Sequence, residues 1–375
     1  NGNVDKTTAF RPLISASSTP NIYTNERTAT VSSYGNPTLR WEKTGTLNVG
    51  VDYSLFERKL HGKIDVYNKV SKDLIASMSI PAINGTTSQR LNMGEMLNRG
   101  LEVEVGTVQT LAKEVTWSGN LNFSYNYNKI TKLFKSSYQG YELVGMSGAT
   151  AAYREGYNAN TLWSYAYAGI YNDGTEQSPN WQPKIKGAGA DVYGYGGWPP
   201  GDGRDFVVES GVQVAPWLLG FSNNFKVRDF NFSFILTGKF GHSFRRQGFN
   251  YPPMWGGRVM PNSKLGEVMN GDPAKISPLP LNGAEESRYY FWDRFHAYLD
   301  YLAESASHVR MREVMLSYDA PRSFLNKAGV SRCQLYAQVT NLFSIYANPF
   351  NEDPEFPEGG VKPSPGYTLG LKLQF

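Results

Sequence analysis

The last eleven residues, 365–375, constrain this chain more than any other stretch. They run Pro-Gly-Tyr-Thr-Leu-Gly-Leu-Lys-Leu-Gln-Phe. Tyr367, Leu369, Leu371, Leu373 and Phe375 share one parity, and Thr368, Gly370, Lys372 and Gln374 take the other. Successive side chains of a strand point to opposite faces, so the segment has one apolar face and one wet face. Its length also matters, because roughly nine to eleven tilted residues carry a strand across a bilayer. Any soluble antiparallel sheet could make one such strand, so the deciding question is whether the pattern repeats.

It repeats along the chain. Leu47, Val49, Val51, Tyr53 and Leu55 alternate with Asn48, Gly50, Asp52 and Ser54, and a tight turn at 56–59 returns through Leu60, Ile64 and Val66. Leu101, Val103 and Val105 alternate with Glu102 and Glu104. The cleanest case sets Trp117, Leu121, Phe123, Tyr125 and Tyr127 against Thr116, Ser118, Asn120, Asn122, Ser124, Asn126 and Asn128. Further strands are expected at 217–227, 230–240, 308–318 and 335–343. Within 308–318 the apolar phase slips at Arg312-Glu313, which predicts a β-bulge, where one strand carries an extra residue. About nine strands of bilayer-crossing length result.

Composition agrees and excludes several classes. Aromatic residues are 14% of the 375 and Gly numbers 38, a turn-rich, β-leaning usage. The net charge of +4 is small and scattered, with no basic run suited to nucleic acid. The single cysteine, Cys333, rules out an internal disulfide framework. No window of about eighteen apolar residues offers a transmembrane helix, but a barrel strand interleaves polar residues and escapes such a window. The chain opens Asn-Gly-Asn-Val-Asp, without Met or a signal peptide, as expected of a mature product, a truncated one or part of a longer protein.

The connections alternate short and long. Short ones fall near Phe56, Leu111, Arg228 and Pro321; long ones fall near Gly85, at 140–213, at 256–303 and near Pro354. Outer-membrane barrels alternate in this way, with short periplasmic turns and long extracellular loops. The expected division is a loop at 1–35, strands at 36–133, a long extracellular loop at 134–215, a hairpin at 216–242, a second long extracellular loop at 243–306 and closing strands at 307–375. Residues 75–97 read as loop because Gly, Thr and Asn accumulate there. The alternation by itself also suits a soluble sandwich or propeller; the loop asymmetry favours the barrel.

Several motifs, in order, resemble the carboxy-terminal part of the barrel in the SusC family of TonB-dependent outer-membrane transporters of Bacteroidetes-type bacteria. They are Asn36-Pro-Thr-Leu-Arg-Trp-Glu-Lys43 with Leu47-Asn-Val-Gly-Val-Asp52, the run Asn92-Met-Gly-Glu-Met-Leu-Asn-Arg-Gly-Leu-Glu-Val-Glu104, Val309-Arg-Met-Arg-Glu-Val-Met-Leu-Ser-Tyr318, and Thr340-Asn-Leu-Phe343. Phe375 resembles the family's terminal barrel-assembly signal. The resemblance implies about nine antiparallel strands of a roughly 22-stranded transmembrane barrel, the rest of which, with an amino-terminal plug, is not found in this sequence. It implies an outer-membrane location with loops outside and the carboxy terminus periplasmic. It further implies import of a bulky nutrient, an oligosaccharide or oligopeptide, with a SusD-like lipoprotein as partner, the TonB complex acting through the plug, and two SusC–SusD pairs joined as a dimer. A cofactor is not implied.

No enzymatic constellation is present. His61, His242, His296 and His308 belong to no metal or triad motif, and Cys333 has no adjacent histidine to activate it. Asp202, Asp205, Glu352, Asp353 and Glu355 fit no twelve-residue calcium loop and read as solvated. The candidates for ligand contact are the loop aromatics Trp163, Tyr165, Tyr167, Trp181, Tyr193, Tyr195, Trp198, Trp255, Tyr289, Tyr290 and Trp292, whose flat faces and polar tips suit sugars or peptide backbones. The same side chains could instead pack the loops together or meet a partner. Two other readings are a surface β protein that binds glycans without transporting them, and an outer-membrane hydrolase.

Overall fold

The computed structural model describes residues 12–79, 83, 88–133, 138–145, 152–172, 175–177, 181–187, 192–193, 204–247, 297–321, 325, 329–356 and 360–375. A small hairpin, β1 (Leu13–Ala16) with β2 (Ala29–Ser33), precedes an up-and-down run of β3 (Lys43–Leu55), β4 (Leu60–Ser79), β5 (Ser88–Ala112) and β6 (Val115–Leu133). The chain then leaves the sheet for short pieces: a single turn, α1 (Gly140–Leu143), then β7 (Thr161–Tyr165), β8 (Tyr167–Asn172), β9 (Trp181–Ile185), β10 (Val192–Tyr193) and β11 (Val207–Val212). It returns as β12 (Trp217–Val227) and β13 (Phe230–Phe240), departs again through β14 (Ser243–Arg245) and β15 (Ala303–Ser305), and closes with β16 (His308–Asp319), β17 (Arg332–Tyr346) and β18 (Gly366–Gln374).

Nine of these strands form one open antiparallel sheet in the order β18-β17-β16-β13-β12-β6-β5-β4-β3. Every neighbour in this wall is also the next long strand in sequence. The all-β class and the strand number expected from the alternation are therefore observed. The turn at 56–59 carries three consecutive positive φ angles, at Phe56, Glu57 and Arg58, which reverses the chain in a minimum of residues. The bulge is also present: Met311 pairs with Leu236 and Glu313 with Ile235, leaving Arg312 as the extra residue against β13.

Register aligns like with like across the sheet. Val49, Val66, Leu101, Tyr125 and Trp217 form one cross-strand row, and Val51, Ile64, Val103, Phe123 and Leu219 the next. On the opposite face Asp52, Lys63, Glu104 and Asn122 are aligned. Among the described residues nothing covers the apolar face: Val49 is 62% exposed and Leu369 77%. In a soluble sandwich a second sheet would cover such a face, since bare contiguous apolar surface is costly in water.

Aromatic side chains form a group towards each end of that bare face, with Phe221 and Phe234 between them, rings 6.2 Å apart. Trp117, Phe225 and Phe232 form one, with Trp117 and Phe225 stacked at 6.3 Å. Phe123, Tyr125 and Trp217 form the other, with Tyr125 and Trp217 centroids 4.0 Å apart. Trp117 and Tyr125 lie on one strand, about 27 Å apart along it at roughly 3.4 Å per residue. That spacing is comparable to the apolar belt of about 25 Å that aromatic girdles flank in membrane barrels.

One expectation is corrected. Residues 75–97 are not a loop, because β4 runs on to Ser79 and β5 begins at Ser88, paired as far as Ser79 with Ser88. The hairpin thus continues well past the level at which β12 and β13 end. The Asn98-Arg99-Gly100 step is inside β5 rather than at a strand start.

Candidate functional site

The wet face of the wall is a lattice of short polar side chains. Asn120 Nδ2 donates to Glu104 Oε1 at 3.0 Å, Asn128 Nδ2 to Asn98 Oδ1 at 2.8 Å, and the Tyr67 hydroxyl to Asn126 Oδ1 at 3.0 Å. Tyr67 and His61 lie flat over Gly100 and Gly106, where a Cβ would meet the rings at 2.2 and 2.3 Å. Glycine there lets a large side chain recline along the wall instead of standing out from it. A shallow concavity on this face is lined by Lys63, Glu102, Glu104, Asn122 and Ser124.

The described parts of the long connections fold over this wet face and leave the apolar one bare. The Ala159 amide donates to Asn128 Oδ1 at 2.8 Å, and the 348–356 segment settles on Arg310, a wet-face residue of β16. The excursions form a crown with its own core: Tyr138, Leu143, Val144, Trp163, Tyr165, Ile185, Phe206, Val207 and Leu299. The two long excursions are knitted together there, as the Tyr165 amide donates to the Tyr298 carbonyl at 2.8 Å and the Tyr167 amide to Asp300 Oδ1 at 3.1 Å.

Two adjacent arginines at the end of β14 tie three connections. Period two sends their side chains opposite ways. Arg245 reaches into the first excursion, donating to the Trp163 carbonyl and, at 3.2 Å, to Ser164 Oγ, while its guanidinium lies 5.3 Å from the Tyr298 ring. Burial pulls its pKa down to about 10, partly opposed by Tyr298. Arg246 reaches the last connection, donating to Glu352 Oε1 at 2.6 Å with its guanidinium 3.2 Å from the Phe350 ring centroid.

Beside them is a buried ion cluster. Arg310 grips Asp353 with two parallel bonds, 2.9 and 2.6 Å, and Asp353 also accepts from the Tyr346 hydroxyl at 2.7 Å. Glu355 accepts from Lys239 and faces Arg310 at 3.0 Å. Burial alone would raise the Asp353 carboxyl, but the bonds from Arg310 and Tyr346 outweigh it and hold the pKa down at about 2. His242 and His308 are buried alongside, rings 5.9 Å apart, and His308 Nδ1 donates to the Ala306 carbonyl at 2.8 Å. Burial, then the neighbouring His308 and Lys239, push His242 down to about 4.

The sequence-predicted aromatics divide in four. Trp163 and Tyr165 are enclosed in the crown core, Tyr165 with no exposed surface, so they pack the loops together. Tyr167 is half-buried with its ring 4.8 Å from that of Tyr301. Trp181 and Tyr193 sit on β9 and β10 of the three-stranded β10-β9-β8 sheet. Tyr195, Trp198, Trp255, Tyr289, Tyr290 and Trp292 lie outside the described residues, as does His296. His61 is on the wet face. Asp353 and Glu355 are not the solvated loop carboxylates the sequence suggested; they are the anchors of the last connection. The available signal was an acidic Glu-Asp-Pro-Glu segment set against isolated arginines on a wet strand face.

A bare apolar belt, a hydrogen-bonded wet face and loops gathered over the latter are the construction of a transmembrane β-barrel wall. Residues 7–228 match the family described as TonB dependent receptor-like, beta-barrel, and the chain belongs to that family, whose members are outer-membrane proteins. It is similar to TonB-dependent receptor P3 of Formosa agariphila, 27% identical over 87% of this chain and 32% of the relative. It is likewise similar to TonB-dependent receptor SusC of Bacteroides thetaiotaomicron, 26% identical over 91% of this chain and 32% of SusC. The chain thus spans about a third of the length of the curated relatives it matches. The structure of the RagAB peptide transporter superposes with a TM-score of 0.68 at 21% identity, covering 98% of this chain and 38% of that one, a likeness of fold.

Proposed function

We propose that this chain supplies part of the wall and mouth of an importer that takes a bulky nutrient, an oligosaccharide or oligopeptide, across the outer membrane. Energy would come from the TonB complex through the plug of the whole receptor, and a SusD-like surface lipoprotein would deliver the cargo. The single observation behind this reading is that, among the described residues, the connections gather over the wet face. A wall that only anchored a surface protein would not need a hydrogen-bonded interior roofed by its own loops.

In this reading the crown faces outward and Phe375 is periplasmic. Trp163 and Tyr165 support the mouth from within the crown. Tyr167, Trp181, Tyr193, Tyr195, Trp198, Trp255, Tyr289, Tyr290 and Trp292 are the proposed contacts for cargo or the lipoprotein. The family name and the SusC and RagAB likenesses support import; the choice between sugar and peptide rests on chemistry common to both. No bond is made or broken in this scheme.

The test is uptake by cells carrying the full receptor, with labelled oligosaccharide and oligopeptide pools compared before and after the proton-motive force is collapsed. Energy-dependent uptake of one pool, lost on deletion of the receptor, is expected. Unchanged uptake after deletion, together with retained glycan binding at the surface, would favour a non-transporting glycan-binding protein.

A further inference from the structure

We infer that Arg245 is a binding site for one carboxylate of the cargo, either the terminal carboxylate of a peptide or the uronate of an oligosaccharide. The inference rests on the import reading above and names the chemistry that the crown would recognise in that cargo.

Three arginines meet where the connections join, and they differ in what balances their charge. Buried Arg246 has Glu352 at 2.6 Å, and buried Arg310 has Asp353 at 2.6 Å and Glu355 at 3.0 Å. Among the described residues no carboxylate pairs with Arg245, which is half-buried. Its partners are the Trp163 carbonyl, Ser164 Oγ at 3.2 Å and the Tyr298 ring at 5.3 Å. These groups solvate the cation without neutralising it. A charge withdrawn from water without a counter-charge is costly, and the two neighbouring arginines show how the crown meets that cost elsewhere.

The guanidinium also has a free side. Both of its hydrogen bonds are made by Nη2, and Nε is buried with no partner. Nη1 makes no bond among the described residues and, unlike Nε, is not closed off from solvent. An oxygen atom can therefore reach Nη1 without displacing the bonds that hold the first excursion.

Two features select the ligand. Arg245 is a lone cation, since Arg246 points away to Glu352, and one positive charge on a planar guanidinium suits a planar, singly charged carboxylate better than a phosphate monoester. The cation is also recessed, with Nε enclosed and Tyr298 against the guanidinium. A chain end or a sugar substituent can enter such a place, where the broad surface of a protein partner cannot. Tyr298 adds a flat face for the peptide plane or sugar ring next to the carboxylate.

The experiment uses the full receptor in mild detergent, with affinities for two matched pairs of probes read by native mass spectrometry. One pair is an oligopeptide with a free carboxy terminus and its carboxy-terminal amide; the other is an oligogalacturonide and its methyl ester. Wild type should bind the acid of one pair about tenfold more tightly than its neutral counterpart, and which pair responds identifies the source of the carboxylate. Arg245→Gln should abolish that preference. Arg245→Lys keeps the charge and should keep part of the preference, which decides the matter if the glutamine variant binds neither probe. Arg154→Gln disturbs the packing on Tyr157 and Trp163 without touching Arg245 and should keep the wild-type preference. Equal or undetectable binding of acid and neutral probes by wild type, an unchanged preference in Arg245→Gln, no preference in Arg245→Lys, or its loss in Arg154→Gln would overturn the proposal. Loss of lipoprotein binding in Arg245→Gln, with no acid preference in wild type, would assign the cation to the protein partner instead. An acid preference in a receptor whose deletion leaves uptake unchanged would sink the import reading and leave the carboxylate site standing.

Discussion

On the wall, Trp117 lies half-buried against Phe225 with ring centroids 6.3 Å apart; in the crown, Trp163 meets Tyr157 edge-on at 4.8 Å and is almost wholly enclosed. One residue type is used in two ways. Wall strands are secured by a continuous hydrogen-bond ladder and finish their burial in lipid, so no single side chain decides their position. The crown has short strands and irregular backbone, and a few enclosed rings and buried arginines fix its shape. The wall should tolerate substitutions that keep its two faces distinct, and the crown should fail at single residues.

The sharpest break is expected at the ion cluster. Arg310→Met leaves Asp353 buried without its charged partner and should unseat the 348–356 connection at a cost of about 3–5 kcal/mol, whereas adding Asp353→Asn should recover much of it. Protease cleavage within 348–356, followed in the intact receptor, reads this directly. Next, Leu121→Lys on the bare face, four residues from both Trp117 and Tyr125, should cost about 2–4 kcal/mol in a bilayer-refolding assay, while Asn122→Lys on the wet face costs much less.

Smaller still, Arg245→Gln removes the bonds to Trp163 and Ser164 and should loosen the first excursion by about 1–3 kcal/mol, measured as hydrogen-exchange protection over β7 with the wall unaffected. The least effect is that of acid. His242 is depressed from 6.5 to about 4, so the unfolded crown takes up a proton that the folded one refuses, and the crown loses stability as pH falls from about 6.5 to 4. His308, Lys239 and Glu355 face this ring. Asp353, depressed from 3.8 to about 2, keeps its contribution until pH drops below about 4. His242→Asn should flatten the upper window of crown proteolysis and leave the lower one.

The wall was legible in the sequence wherever lipid imposes it. Alternation marked each strand's crossing segment, and the phase slip at Arg312 placed the bulge. It failed at Ile75–Ser79 and Ser88–Leu97, where the strands run on above the belt: lipid no longer sorts the two faces, so period two fades while the ladder continues. The crown was scarcely legible. Trp163 and Tyr165 looked like ligand platforms because an aromatic destined for a loop core and one destined for a sugar have the same composition. The Arg310–Asp353 pair joins residues 43 apart, which no local pattern announces.

The central claim is that one face of the wall meets lipid and the other meets the lumen. Spin labels placed singly at Asn48, Val49, Asp52, Val51, Thr368 and Leu369, in a full receptor with Cys333→Ser and held in bilayers, test it most directly by accessibility to oxygen and to a water-soluble nickel chelate. Val49, Val51 and Leu369 should favour oxygen, and Asn48, Asp52 and Thr368 the chelate, alternating residue by residue. Equal chelate access on both parities, or neither reagent reaching the apolar one, would contradict the account.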